Sequence, residues 1–294
     1  MHTLYIVTGI IVGLFLWAAI EKKLLIYTKY NITNTLLPKA FNGVGFVVLA
    51  DLHNNCFGKN NERLTKKIDQ LSPEFILVAG DMISKNTLCY PSPAFDLLDA
   101  LSKRYPIYYS FGNHEQRFEH LDTESKEYFS WVEFQEKLKK KGVIFLNNKT
   151  IELKKQKDSI LISGISIGQK FFERSKAPEM EDNYLSLLLQ NTNSKKYHIL
   201  LAHNPVYFSN YIKWGADLSI GGHLHGGMVR LPGLGGVISP QVKFFPAYSS
   251  GCFTLEDKHM VVSRGLGSHS FMPRLFNTPE IVYVIMQQKE QGKG

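Results

Sequence analysis

The chain has 294 residues, of which 44% are apolar and 20% charged, proportions that suit a protein burying a sizeable core and exclude a disordered, collagen-like or coiled-coil chain. Lys and Arg number 34 against 26 Asp and Glu, and the net charge of +8 suits phosphate esters, nucleic acid or an anionic membrane face as well as a plain solvated surface. Cys56, Cys89 and Cys252 are odd in number and widely spaced, so they form neither a disulfide framework nor a CxxC metal site.

Residues 3–20 carry no charge and come close to the ~20 residues that span a bilayer. Trp17 near one end, and Tyr27 and Tyr30 beyond it, suit an interface. A cleaved signal peptide fits less well: only Met1 and His2 precede the apolar run, and Ala18-Ala19-Ile20 is a poor cleavage site. A buried helix is the third reading. The preferred one is an uncleaved anchor. Lys22, Lys23, Lys29 and Lys39 follow it, with only Glu21 opposing, which by the positive-inside rule places the rest of the chain in the cytoplasm, on the inner membrane. The expected division is an anchor with a basic juxtamembrane linker over 1–30 and one soluble domain over 31–294, the linker composition reaching to about 41.

Beyond the anchor, short apolar runs alternate with helical patterns. Residues 46–50 (FVVLA) and 75–79 (FILVA) read as strands buried on both faces. Between them Leu64, Ile68 and Leu71 repeat at helical spacing. A helix is expected over 95–101, a strand over 107–111, and a charged helix in the later part of 115–141. Short strands follow at 144–146, 150–153 and 160–163, a helix at 181–189, strands at 197–202 and 218–221, and a strand-rich tail ending with 281–286. This alternation predicts an α/β fold whose sheet is covered on its faces.

The polar residues gather where the strands end. The first closes in Asp51-Leu52-His53, the second in Gly80-Asp81, the third in Gly112-Asn113-His114-Glu115. A later strand closes in Ala202-His203-Asn204, and the next in GGHLHGG over 221–227, with His223 and His225. Each motif alone also reads as a capped turn or a hydrogen-bonded structural histidine. Together they bring five of the ten histidines and two aspartates to the carboxyl ends of strands, where α/β sheets bind ligands. The set supplies imidazole nitrogens, carboxylates and an amide carbonyl but no thiolate, which suits Mn²⁺, Fe or Zn²⁺ better than Mg²⁺ or Ca²⁺. It exceeds the needs of one structural zinc, so two divalent ions are implied, and a carboxylate such as Asp81 can bridge a pair that clamps a phosphoryl group.

This ordered set resembles the calcineurin-like metallophosphoesterase superfamily over roughly 46–287. GGHLHGGMVRLPG over 221–233, followed by SRGLG and PRLFNTPEI, is similar to a membrane-anchored bacterial branch that includes UDP-2,3-diacylglucosamine hydrolases. The resemblance implies a four-layer αββα sandwich behind an N-terminal transmembrane helix. It implies that Asp51, His53 and His225 hold one metal, that Asn113, His203 and His223 hold the second, that Asp81 bridges them, and that His114 is the catalytic acid.

Several features bear on the substrate. Protein phosphatases of the superfamily continue the Gly-Asp block with Val-Asp-Arg-Gly, where this chain has Met82-Ile83-Ser84-Lys85. Branch members commonly carry Gln where Met228 stands. Residues 229–245 hold Leu231, Leu234, Val237, Ile238, Val242, Phe244 and Phe245 among glycines and prolines, with Arg230 and Lys243. These are either ordinary packing or an acyl-chain or membrane-contacting lip whose cations, Arg230 among them, meet a diphosphate. Phe271, Met272, Arg274 and Phe276 invite the same two readings. The expected activity is hydrolysis of a phosphodiester or diphosphate in a phosphorylated small molecule or lipid, such as UDP-2,3-diacylglucosamine. A phosphodiesterase or phosphatase for soluble nucleotides or phosphoproteins is the alternative, and a non-catalytic metal-binding scaffold a remote one. No nucleic-acid partner is expected, since no aromatic-interleaved basic groove is present.

Overall fold

A computed structural model describes residues 1–84, 92–173, 178–189, 195–231, 233–239, 243–268 and 274–289. Fourteen strands and seven α-helices are present among them. Helix α1 (His2–Glu21) is almost wholly exposed and is the one described helix long and apolar enough to cross a membrane. Then come β1 (Ile26–Asn34), β2 (Gly45–Leu49), α2 (Glu62–Leu71), β3 (Phe75–Val78), α3 (Pro93–Ser102), β4 (Ile107–Tyr109), α4 (Asn113–Phe118), α5 (Lys126–Lys140) and β5 (Val143–Phe145). The second half holds β6 (Lys149–Lys155), β7 (Asp158–Ile165), α6 (Tyr184–Leu189), β8 (His198–Ala202), α7 (Phe208–Trp214), β9 (Leu218–Gly221), β10 (Val229–Leu231), β11 (Gly235–Ile238), β12 (Gly251–Leu255), β13 (Lys258–Val262) and β14 (Glu280–Gln288).

The strands form two six-stranded sheets, ordered β1-β14-β2-β3-β4-β5 and β12-β13-β9-β8-β7-β6, plus the β10–β11 hairpin. Side chains alternate across a strand, and this alternation builds the layers. Phe46, Val48 and Ala50 point into a core shared with Ile160, Ile162, Ile199, Leu201 and Ile220, which lies between the sheets. Val47 and Leu49 point the other way, toward Leu64, Leu98 and Trp131 of α2, α3 and α5. On the second sheet, Leu200 and Ala202 face Leu185 of α6 and Tyr211 of α7. The result is the expected αββα sandwich. Continuous apolar strands such as FVVLA follow from burial on both faces.

The helices start where local chemistry predicts. Ser92 accepts from Phe95 N–H with Pro93 in the first turn of α3, and Ser125 accepts from Tyr128 N–H at the start of α5. Helix α5 then buries Trp131, Phe134 and Leu138 at helical spacing.

The expected linker is a point of difference. Residues 26–34 are not a tether but the edge strand β1, paired in parallel with β14 from Ile26↔Glu280 to Asn34↔Gln288. This strand runs across the expected boundary between 30 and 31. An edge strand with one exposed face tolerates Lys29, Asn31 and Thr33, so its composition looks like linker. Between α1 and β1 only residues 22–25 remain, and Leu25 among them is buried in the first sheet's outer core.

Candidate metal centre

Both sheets are parallel at their centres, β2-β3-β4 in one and β7-β8-β9 in the other, so their strand ends open toward one place. The polar motifs therefore converge from two sheets rather than along the edge of one. Asp51 and His53 follow β2, Asp81 follows β3, and Asn113 and His114 begin α4 after β4. His203 follows β8, and His223 and His225 follow β9.

Three groups with mutually close donor atoms result: Asp51 with His53 and His225, His53 with Asp81 and His114, and Asp81 with His203 and His223. Asp81 and His53 each belong to two of them. The Nε2 of His53 lies 3.3 Å from that of His225, which is itself 3.4 Å from Asp51 Oδ1. His203 Nε2 lies 3.1 Å from Asp81 Oδ2 and 3.8 Å from Asp51 Oδ1. His114 Nε2 stands 4.0 Å from Asp81 Oδ2. Asp51, His53, Asp81, Asn113, His114, His203 and His225 are buried, and His223 is partly so.

The backbone is bent to make this arrangement. Asp51, His53, Asp81, His223 and His225 all adopt left-handed φ, between 47° and 68°. That conformation costs an L-residue about 1–2 kcal/mol and gathers at functional sites. The supports are hydrogen bonds. Glu115 is fully buried; one of its oxygens accepts from Asp81 N–H (2.8 Å) and Gly112 N–H (2.9 Å), the other from Met82 N–H (2.8 Å) and the Tyr109 hydroxyl (2.7 Å). His114 N–H donates to Asp81 Oδ1, and His223 N–H donates to Asp51. His203 Nδ1 donates to Ala79 O at 2.6 Å and His225 Nδ1 to Gly267 O at 3.2 Å, which orients each ring with Nε2 toward the cluster, where a metal would take the place of any proton on it. Gly222 is required because a Cβ there would lie 2.4 Å from Asp51 Oδ2.

The electrostatics call for a cation. Burial pushes Asp51 up to about 7 despite His203, which opposes it. Burial would raise Asp81 too, but His203, His114 and His53 hold it well below the usual carboxylate range. Burial lowers His203, and Asp81 and Asp51 outweigh it, raising the imidazole to about 10. Burial and the charge of Asp81 lift Glu115 to about 7. Buried carboxylates thus draw positive charge onto a neighbouring imidazole, His203. Asn113 Oδ1 is also buried and makes no hydrogen bond among the described residues. A nitrogen–oxygen donor set with an orphaned carbonyl fits divalent metal.

The calcineurin-like phosphoesterase family model matches residues 45–227, well over half of the chain. The chain belongs to this family. The phosphoesterase is 24% identical over 267 residues to the uncharacterized metallophosphoesterase YkuE of Bacillus subtilis, covering 89% of this chain and 85% of that protein. It is 26% identical over 223 residues to the phosphodiesterase YaeI of Escherichia coli, covering 75% and 74%. It is 22% identical over 321 residues to the UDP-2,3-diacylglucosamine pyrophosphatase LpxG of Chlamydia trachomatis, covering 91% of each. As a family member it is a metal-dependent hydrolase of phosphoric esters.

Arg230 lies outside the cluster, on β10. Its Nη1 donates to Gly226 O (3.0 Å) and Ser250 Oγ (2.6 Å), so part of the guanidinium braces the loop that carries His225. Met228 is buried, and its side chain packs rather than presenting a polar group. Leu231, Leu234, Phe244, Phe245 and Phe276 are exposed, whereas Val237 and Ile238 are half-buried; Lys85, Cys89, Val242, Phe271 and Met272 lie outside the described residues. Arg274 is buried, its guanidinium donating to the carbonyls of Arg264, Gly265, Gly267 and Asn277. It is a structural clamp on the loop behind His225 and no part of a lip.

Sequence reasoning missed two supporting residues. Glu115 was visible only as the last letter of the Gly-Asn-His-Glu block. Asn277, whose amide donates to His225 O and Gly227 O, was visible only as a polar residue in the tail motif.

Proposed function

We propose that the protein is a single-pass membrane enzyme of the inner membrane with a binuclear metal centre facing the cytoplasm, and that it hydrolyses a phosphodiester or diphosphate bond in an amphiphile of the UDP-2,3-diacylglucosamine kind. The observation that carries the reading is the largely buried set of three His/Asp groups, linked to one another through His53 and Asp81. The anchor-like α1 and the similarity to LpxG support the lipid-linked substrate, and the lysines after α1 support the cytoplasmic side.

Asp51, His53 and His225 would hold one ion, and Asn113, His203 and His223 the other, with Asp81 between them; Mn²⁺, Fe and Zn²⁺ suit these donors. When bound, the ions supply Lewis acidity and an activated water for attack on phosphorus. The chain's own contributions follow from its geometry. Glu115 fixes the backbone of Asp81 and Met82 and so the aim of the Asp81 carboxylate. His114, held by its N–H on Asp81 and with Nε2 directed to the cluster, donates a proton to the departing oxygen. The Arg230 edge not used on Gly226 and Ser250 is available to a substrate phosphate.

The test uses full-length protein reconstituted with Mn²⁺, measuring UMP release from UDP-2,3-diacylglucosamine in mixed micelles beside a chromogenic soluble phosphodiester. Release of UMP establishes the substrate class. Turnover of the chromogenic ester alone assigns the enzyme to soluble phosphodiesters and removes the lipid-linked reading. Absence of both with two metals bound would favour the scaffold.

A further inference from the structure

Large apolar side chains collect on one surface beyond the metal centre. Leu231 and Leu234 on and beside β10, Phe244 and Phe245 beyond β11, and Phe276 are 41%, 65%, 69%, 62% and 50% exposed. Other exposed apolar residues of the catalytic domain, such as Phe129 and Leu187, stand on separate helices and are of the scattered kind that any surface carries. The five form one neighbourhood. Leu275 bridges to Val229, β10 pairs with β11, and Ile238 of β11 bridges to Phe244, so Leu275, β10, β11 and Phe244 lie in adjacent rows.

That neighbourhood is tied to the end of α1. Glu21, the last residue of the helix, is buried, and its carboxylate accepts from the hydroxyl of Thr278 at 3.0 Å. Ile26 N–H donates to Pro279 O. Phe276 stands only two residues before Thr278. The helix therefore meets the domain beside the exposed rim, with four residues between helix and strand. Lys22 and Lys23, which follow the helix, are exposed, as is Lys243, which precedes Phe244 of the rim. Behind the rim lies an open groove of about 610 Å³ whose lining includes Arg230, Leu231, Leu234, Ser250, Arg264 and Phe276. Its wall is bonded to the metal loop: Arg230 donates to Gly226 O, one residue after His225, and Gly226 N–H donates to Ser249 O.

We propose that the β10–β11 hairpin with Phe244, Phe245 and Phe276 is a second membrane contact, a lip that lies in the headgroup–acyl boundary of the same bilayer that α1 crosses. The proposal rests on the reading of α1 as an anchor and deepens the proposed function. The lip's aromatic and leucine side chains enter the acyl margin while Lys22, Lys23 and Lys243 meet lipid phosphates. The groove then opens at headgroup depth, so an acylated phosphoester moves sideways from the leaflet to the metal centre and its chains never cross water. The bilayer is the occupant of choice because the patch adjoins a helix of membrane-spanning length and because exposed lysines follow that helix and precede Phe244. A soluble protein partner would need neither feature.

The experiment uses the full-length chain, with its three cysteines replaced by serine, in phosphatidylethanolamine–phosphatidylglycerol nanodiscs. Single cysteines at Ile10, Leu234, Phe244 and Phe129 carry an environment-sensitive fluorophore, and doxyl-labelled lipids act as quencher. The expected result is strong quenching at Ile10, quenching by half or more with blue-shifted emission at Leu234 and Phe244, and none at Phe129. Quenching at Ile10 with Leu234 and Phe244 as polar and unquenched as Phe129 overturns the lip and leaves the anchor. No quenching at Ile10 overturns both. The readout needs no substrate, so failure of the phosphodiesterase reading would show separately. As a second measure, Leu234→Asp combined with Phe244→Asp should lower kcat/KM for an acylated phosphodiester in the nanodisc about tenfold while a soluble chromogenic ester is turned over at the normal rate. Equal rates on both substrates would overturn the lip as a substrate entrance.

Discussion

The two sheets end in the same kind of polar strand-end loop but supply different chemistry. The first contributes carboxylates, an amide and two histidines through Asp51, His53, Asp81, Asn113 and His114, with Glu115 beneath them. The second contributes imidazoles alone, through His203, His223 and His225. Each sheet by itself is an incomplete donor set. The contacts that complete it cross the gap: His225 to Asp51, His203 to Asp81, and Gly222 packed against Asp51. A centre divided in this way depends on the apolar core between the sheets, since loss of their packing separates acid from imidazole. It also explains the strain. Left-handed φ at five of these residues turns side chains from the strand ends inward, and a dense hydrogen-bond scaffold sustains that geometry.

The comparison breaks most severely at Asp81, which both halves share. Asp81→Asn should release metal from both groups and lower turnover more than about 100-fold, beyond what outer-shell changes cost. Elemental analysis of the purified variant, together with phosphodiester turnover, checks this; full metal content at the normal rate would show that Asp81 bridges nothing. His114 sharpens the division of labour within the first sheet. His114→Ala should keep its metals yet turn over an ester with a poor leaving group about 100-fold more slowly, with a smaller loss for a good leaving group.

Glu115 tests whether the supports matter on that side. Glu115→Gln weakens acceptance from five donors, Ile83 N–H included, and should reduce metal affinity or activity about tenfold, read by metal titration of the apo-protein. A smaller effect lies in the second sheet. Burial lowers His198 to about 4, where its Nε2 pairs with Ser163 at 2.7 Å. Between the ordinary imidazole value near 6.5 and 4, the unfolded chain binds a proton that the folded one refuses. Stability is therefore lost as pH falls through that window, by at most about 3 kcal/mol at 1.36 kcal/mol per unit. His198→Gln should flatten the acid slope of the melting temperature between pH 6.5 and 4. An unchanged slope would show that the ring is charged in the fold.

Much of the candidate centre was legible because its residues follow buried strands. FVVLA before Asp51 and FILVA before Asp81 state both the element and where it stops, and strand ends are where ligands gather. Glu115 was not legible as a support, because a glutamate in the first turn of a short helix is ordinary; only the fold puts it beneath Asp81. Strand β1 was hidden because an edge strand with one wet face carries linker-like polar residues. The exposure of the 229–245 segment was undecided for the opposite reason, since leucines and phenylalanines read alike in a core and in a lip.

The sequence by itself determined the apolar helix at the amino end, the alternation of buried strands with amphipathic helices, and the order of the histidine and aspartate motifs. Those are local properties, written in hydropathy, periodicity and residue chemistry. The tertiary structure alone decided that the motifs come from two sheets and meet across their joined edges. It decided that residues 26–34 pair with the far carboxyl-terminal strand, and that the end of α1 is bonded to Thr278 beside an exposed apolar rim. Each of these rests on contacts between residues far apart in the chain, and such contacts leave no local signal in the sequence.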